Sequence, residues 1–75
     1  MSRLPQVTPR KMIAALQRAG FYVERVKGSH HFLLHRSDRT RWATVAMHPG
    51  DLPPRDVRDI LKQAKISREE FLQLL

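Results

Sequence analysis

The residues of this chain best suited to chemistry stand together in Lys27-Gly28-Ser29-His30-His31. They combine a cation, a flexible glycine and two imidazoles where a turn gives way to a strand-like run. A histidine changes charge near neutral pH, so it can take or give a proton under physiological conditions. That property suits cleavage of a phosphodiester whose nucleophile is already part of the substrate. In RNA the 2′-hydroxyl lies beside the scissile phosphate. An imidazole can remove its proton, or protonate the departing 5′-oxygen. A nearby cation such as Lys27 can stabilise the charge that gathers on the phosphorane. This route calls for no metal and no cofactor, and DNA, lacking the 2′-hydroxyl, is not a substrate. The plainer reading of the same residues is a pair of surface histidines in a basic strand.

Competing chemistries have less support. The four histidines His30, His31, His35 and His48 could be thought of as metal ligands, and His31 and His35 share a strand face. No carboxylate stands at a supporting position beside them and no H-E-x-x-H helix occurs, so no metal site is expected. Ser29 adjoins a histidine but lies in no G-x-S-x-G elbow. With no cysteine there is neither a disulfide nor a thiolate zinc site.

The elements that must hold this segment are legible on either side of it. Thr8 and Pro9 predict a helix start, with Val7 and Met12 at the positions of a hydrophobic staple. Met12, Ile13, Leu16 and Ala19 recur at helical spacing, and Gly20 closes a helix read from Pro9 to Ala19. Three strand-like runs follow, Phe21–Val26, His31–Arg36 and Arg41–Met47, joined by turns at Lys27-Gly28-Ser29 and Ser37-Asp38-Arg39-Thr40. Short turns between successive strands predict an antiparallel meander. Val57, Ile60, Leu61 and Ala64 mark a second helix behind Pro53 and Pro54. Ser67 and Glu70 form a capping box for a short third helix, with Ile66 and Phe71 as its staple. The expected fold is therefore α+β, a single small domain over residues 1–75 in the order α-β-β-β-α, with residues 1–6 frayed and helices on one face of a three-stranded sheet.

Alternation does not settle which histidine is presented. Adjacent strand residues point to opposite faces, so only one of His30 and His31 can serve a given site. The second run is apolar on both faces, and the two choices stay open at this point.

Charge narrows the partner. The chain has 75 residues and a net charge of +7, and the whole excess lies in residues 1–41, which hold nine basic against two acidic side chains. Residues 42–75 sum to zero. A polyanion is the favoured partner. Arg10, Lys11 and Arg18 on the first helix, and Arg25, Lys27, Arg36, Arg39 and Arg41 around the strands, are candidate phosphate contacts, with Gly28 and Ser29 allowing close approach of the backbone. Trp42 could stack a base, but a lone strand tryptophan more often packs in the core or at a helix–sheet edge, and that is the expectation. A membrane surface is disfavoured, because the one basic helix has only a narrow apolar stripe, already needed inside. No apolar run suits a signal peptide or a membrane span, and the expected location is cytoplasmic.

The chain also resembles a known family. The pieces that carry the likeness are Leu16-Gln17-Arg18-Ala19-Gly20-Phe21, Lys27-Gly28-Ser29-His30-His31-Phe32, Thr44-Val45-Ala46-Met47-His48, Ile60-Leu61-Lys62-Gln63-Ala64 and Ser67-Arg68-Glu69-Glu70-Phe71. In this order and spacing they resemble the HicA toxins of HicA–HicB toxin–antitoxin pairs, over about Lys11 to Phe71. The resemblance implies a fold similar to a double-stranded RNA-binding domain. It implies a metal-independent endoribonuclease acting on mRNA, with one catalytic histidine, His30 first and His31 second. It also implies a HicB-like antitoxin that covers the active surface. The chain departs from the family's commoner residues at Ala46 (Pro), at Lys65 (Gly) and at Pro53-Pro54-Arg55 (Gly-Thr), all outside Lys27–His31. The alternative is a non-catalytic module binding double-stranded RNA. The alternating signs of Arg55-Asp56-Val57-Arg58-Asp59 speak against it, since such modules carry a lysine-rich start to this helix.

Overall fold

A computed structural model of the chain describes residues 4–75. Six elements follow one another: α1 (Pro9–Arg18), β1 (Phe21–Lys27), β2 (His30–His35), β3 (Trp42–Ala46), α2 (Pro54–Ala64) and α3 (Arg68–Leu74). This is the expected α-β-β-β-α order with its short terminal helix, an α+β fold like that of a double-stranded RNA-binding domain. For residues 1–3 the expected fraying lies outside the described residues; Leu4 is half-buried against the core. None of the helices among the described residues is long and apolar enough to cross a membrane.

The helix ends form as their residues dictate. Thr8 Oγ1 accepts a hydrogen bond from the Lys11 amide at 3.2 Å, and Val7 and Met12 are both buried beside that cap. Ser67 Oγ accepts from the Glu70 amide at 3.1 Å, with Ile66 and Phe71 buried as its staple. The end of α2 is less ordinary. Lys65 takes the left-handed conformation at φ 57°, and the amides of Ile66 and Lys65 return to the carbonyls of Leu61 and Lys62. That conformation costs a residue with a side chain about 1–2 kcal/mol. In partial offset, Lys65 Nζ donates to Thr40 Oγ1 at 2.9 Å, tying the helix end to the β2–β3 loop.

The three strands form one antiparallel sheet in the order β1-β2-β3. Its inner face carries Phe21, Leu33, Ala43 and Val45, buried in one cluster with Met12, Ala15 and Leu16 of α1, Val57, Ile60 and Leu61 of α2, and Phe71 of α3. Each large apolar side chain so buried contributes about 1.5–3 kcal/mol. The helices thus cover one face, and the other is uncovered.

Two local features set which side chains reach that uncovered face. Lys27 pairs directly with His30, so the loop between β1 and β2 is only Gly28 and Ser29. Gly28 has φ 59° and takes the first central position, the pattern of a type II′ turn. This tight turn draws His30 into the strand, one residue earlier than the sequence predicts. In β1 a bulge falls between Val23 and Arg25, with Glu24 as the extra residue. Val23 lies opposite Leu33, toward the core, and past the bulge Arg25 lies opposite Phe32, toward solvent.

Candidate functional site

His30 stands on the uncovered face at the start of β2. Its position is held from three sides. Lys27 pairs with it across the hairpin, Ala46 pairs with it from β3, and the Met47 amide donates to the Ser29 carbonyl at 2.6 Å. Its ring lies 6.4 Å from that of Phe32, two residues on along the same face. The imidazole is exposed, as are Lys27, Gly28, Ser29 and Arg25 around it.

Beside His30 the edge of β3 meets α2 and leaves a groove of about 220 Å³, lined by His30, Thr44, Asp56, Asp59, Ile60 and Gln63. Gln63 closes the strand edge, its Oε1 accepting from the Thr44 amide at 3.3 Å. An imidazole thus shares a solvent-open groove with two carboxylates. Sequence reasoning missed Asp56, Asp59 and Gln63 as neighbours of His30. Their spacing of three and four residues marks one polar stripe along α2, flanking its apolar one, and that was the available signal. Among the described residues, no three His, Cys, Asp or Glu side chains are grouped to hold a metal ion.

The other histidines have different surroundings. His31 pairs with Val45 and Val26 and turns to the inner face; its Nδ1 is buried without a hydrogen-bond partner. His35 also faces inward and is structural. Its Nε2 lies 3.1 Å from the Ala19 carbonyl oxygen, its Nδ1 accepts from the Ser37 amide at 3.2 Å, and its ring meets Phe21 edge-on. His48 sits in the loop after β3, with Nδ1 3.0 Å from the Pro49 carbonyl oxygen.

The basic residues likewise divide. Arg25 lies over the Phe32 ring at 4.6 Å and Arg36 over Tyr22 at 5.8 Å, both on the uncovered face. Lys11 is not brought to this face: it lies on α1, lining a groove with Pro5, Gln6, Ala14, Arg18 and Leu75. Arg18 donates to the Leu74 carbonyl at 2.7 Å. Arg41, read from sequence as a phosphate contact, instead donates through Nε to the Ala64 carbonyl at 2.8 Å and lies over Phe21. It caps α2, a role forced by its half-buried place at the end of that helix. Trp42 corrects a second expectation. It is 44% exposed on the uncovered face, because Ala43 and Val45 take the inner parity of β3 and leave Trp42, Thr44 and Ala46 the outer one.

Comparison with known proteins gives one result. No curated protein matches the chain. The family model described as "HicA toxin of bacterial toxin-antitoxin" matches residues 9–66. That stretch runs from the first residue of α1 through all three strands to the end of α2, and includes the Lys27–His31 segment. The chain belongs to the HicA toxin family, and is the toxin component of a toxin–antitoxin pair.

Proposed function

We propose that this toxin is a metal-independent endoribonuclease that cleaves mRNA, with His30 as the group that moves the proton. The observation that carries this reading is the contrast between neighbours: His30 is exposed beside Lys27, while His31 turns toward the core. A phosphate laid on the uncovered face meets both His30 and Lys27. His30 takes the 2′-hydroxyl proton as the oxygen attacks phosphorus, or delivers a proton to the 5′-oxygen as that bond breaks. Lys27 neutralises the gathering negative charge. The products are a 2′,3′-cyclic phosphate and a free 5′-hydroxyl, and no metal-bound water is needed because the nucleophile is internal. Asp56 and Asp59 line the groove into which the imidazole opens.

In this reading residues 1–75 act as a single toxin domain in the cytoplasm, where mRNA is found, and a HicB-like antitoxin silences it by covering His30. An acidic antitoxin surface complements the Arg25–Lys27 edge that RNA otherwise uses. The test is cleavage of a single-stranded RNA in excess EDTA. His30→Ala should lower the rate by about 10²–10⁴-fold with an unchanged circular dichroism spectrum. Equal cleavage by parent and variant refutes the assignment.

A further inference from the structure

The side chains of the uncovered face form three rows across the strands: Lys27, His30 and Ala46; then Arg25, Phe32 and Thr44; then Tyr22, Leu34 and Trp42. None of the nine is acidic. The first row holds the proposed catalytic histidine. The third holds two exposed aromatic rings, Tyr22 and Trp42, with Arg36 over Tyr22. Four residues along β2 separate the rows at a little over 3 Å each, about 13 Å in all, the span of roughly two extended nucleotides.

We propose that this face is a track for single-stranded RNA, on which Trp42, with Tyr22 beside it, stacks an unpaired base about two nucleotides from the phosphate at His30. The inference rests on the reading of His30 given above and adds a binding subsite to it. Two independent observations carry it. An aromatic ring has been left in water on a sheet with a core available to it, and the charge around it matches a polyanion. Arg25 and Arg36 lie over Phe32 and Tyr22, so their charge is held at the level where a phosphate backbone would run. A base paired in a duplex has no free face for Trp42, so the track selects unpaired RNA. Trp42 binds substrate without touching the reacting atoms and is a positioning residue.

Trp42 is the sole tryptophan of the chain, so its fluorescence reports this subsite directly. The His30→Ala variant is titrated with a short oligoadenylate and with an RNA duplex. Quenching that saturates with the oligoadenylate, and is weak or absent with the duplex, is expected. By anisotropy of labelled RNA, Trp42→Leu should weaken binding by about five- to 150-fold, and Trp42→Phe should restore most of it. In the cleaving chain, Trp42→Leu should raise KM by a similar factor and leave kcat within a few-fold. Binding without quenching, or an unchanged affinity in Trp42→Leu, overturns the proposal, as does a Trp42 signal that responds only to a protein partner. The two readings fail separately: quenching without cleavage by the parent chain sinks the catalytic role of His30 and keeps the track, and cleavage without quenching does the reverse.

Discussion

The Nε2 of His35 lies 3.1 Å from the carbonyl oxygen of Ala19, so the last strand residue of β2 is clipped to the end of α1. The opposite ring nitrogen accepts from the Ser37 amide, and both nitrogens are thereby used in one tautomer. A Cβ at Gly20 would lie 2.9 Å from the same Nε2, and Gly20 has φ 101°. His35 is therefore a structural histidine. His35→Leu is expected to cost about 1–3 kcal/mol in denaturant unfolding, because it strands a carbonyl and an amide. Gly20→Ala should destabilise by a comparable amount. Neither variant should alter RNA cleavage by more than a few-fold at a temperature where it is folded, in contrast to His30→Ala.

His31 offers the sharper comparison. Its buried Nδ1 has no partner, and a polar atom in that state weakens the folded chain. His31→Leu is expected to leave stability unchanged or raise it by about 1 kcal/mol, and to keep cleavage within a few-fold. Loss of cleavage in a folded His31→Leu chain would move the catalytic role to His31.

Arg25 and Arg41 carry the same charge and should behave differently. Arg41 is committed to the Ala64 carbonyl and the Phe21 ring. Arg41→Ala should cost about 1–3 kcal/mol of stability while leaving the salt dependence of RNA binding as it was. Arg25→Ala should do little to stability. It should lower the slope of log affinity against log salt by about 0.7 for a single strand. The pair is checked by urea melts alongside binding titrations at several salt concentrations.

Asp38 sets a pH dependence. Its Oδ1 accepts from the Thr40 hydroxyl at 2.6 Å and from the Thr40 amide at 3.0 Å. The hydroxyl bond first, then the amide bond, with Lys65 and Arg41 adding attraction, hold this carboxyl below the ordinary aspartate value. A depressed folded pKa means that the stabilisation is complete above the unfolded value of about 3.9 and is lost as pH falls through the folded one. Asp38→Asn should therefore flatten the acid limb of a stability profile below about pH 4 and leave the neutral region nearly parallel to the parent. An acid limb of the same steepness in both chains would count against this role.

The parts of the fold that depend on neighbours in sequence were legible: the caps at Thr8 and Ser67, the turn glycines, and the apolar stripe of α2 all formed where their residue types required. What depended on pairing was not. The second strand is apolar at Phe32, Leu33 and Leu34 in succession, so its own pattern could not say whether His30 or His31 faces water; Ala43 and Val45, small and β-branched residues opposite it, decided the matter. Trp42 was misjudged for a related reason. Its ring is large enough to stabilise a core, but the parity of β3 had already been taken. The carboxylates beside His30 come from a helix more than twenty-five residues away in the chain, and only the packing of α2 on the sheet edge brings them there.

The bulge at Glu24 has a consequence for how the charge of this toxin is encoded. Remove that one residue, keep Phe21 and Val23 in the core, and the facing of the rest of β1 is kept: Arg25 and Lys27 remain solvent-facing, as they are now. Replace the bulge by regular pairing instead, without deletion, and Glu24 and Val26 would stand on the uncovered face while Arg25 and Lys27 turned away. The same amino acids would then present one negative charge where two positive ones stand. The sign of the uncovered face is thus a property of strand phase, and an inventory of its side chains does not contain it.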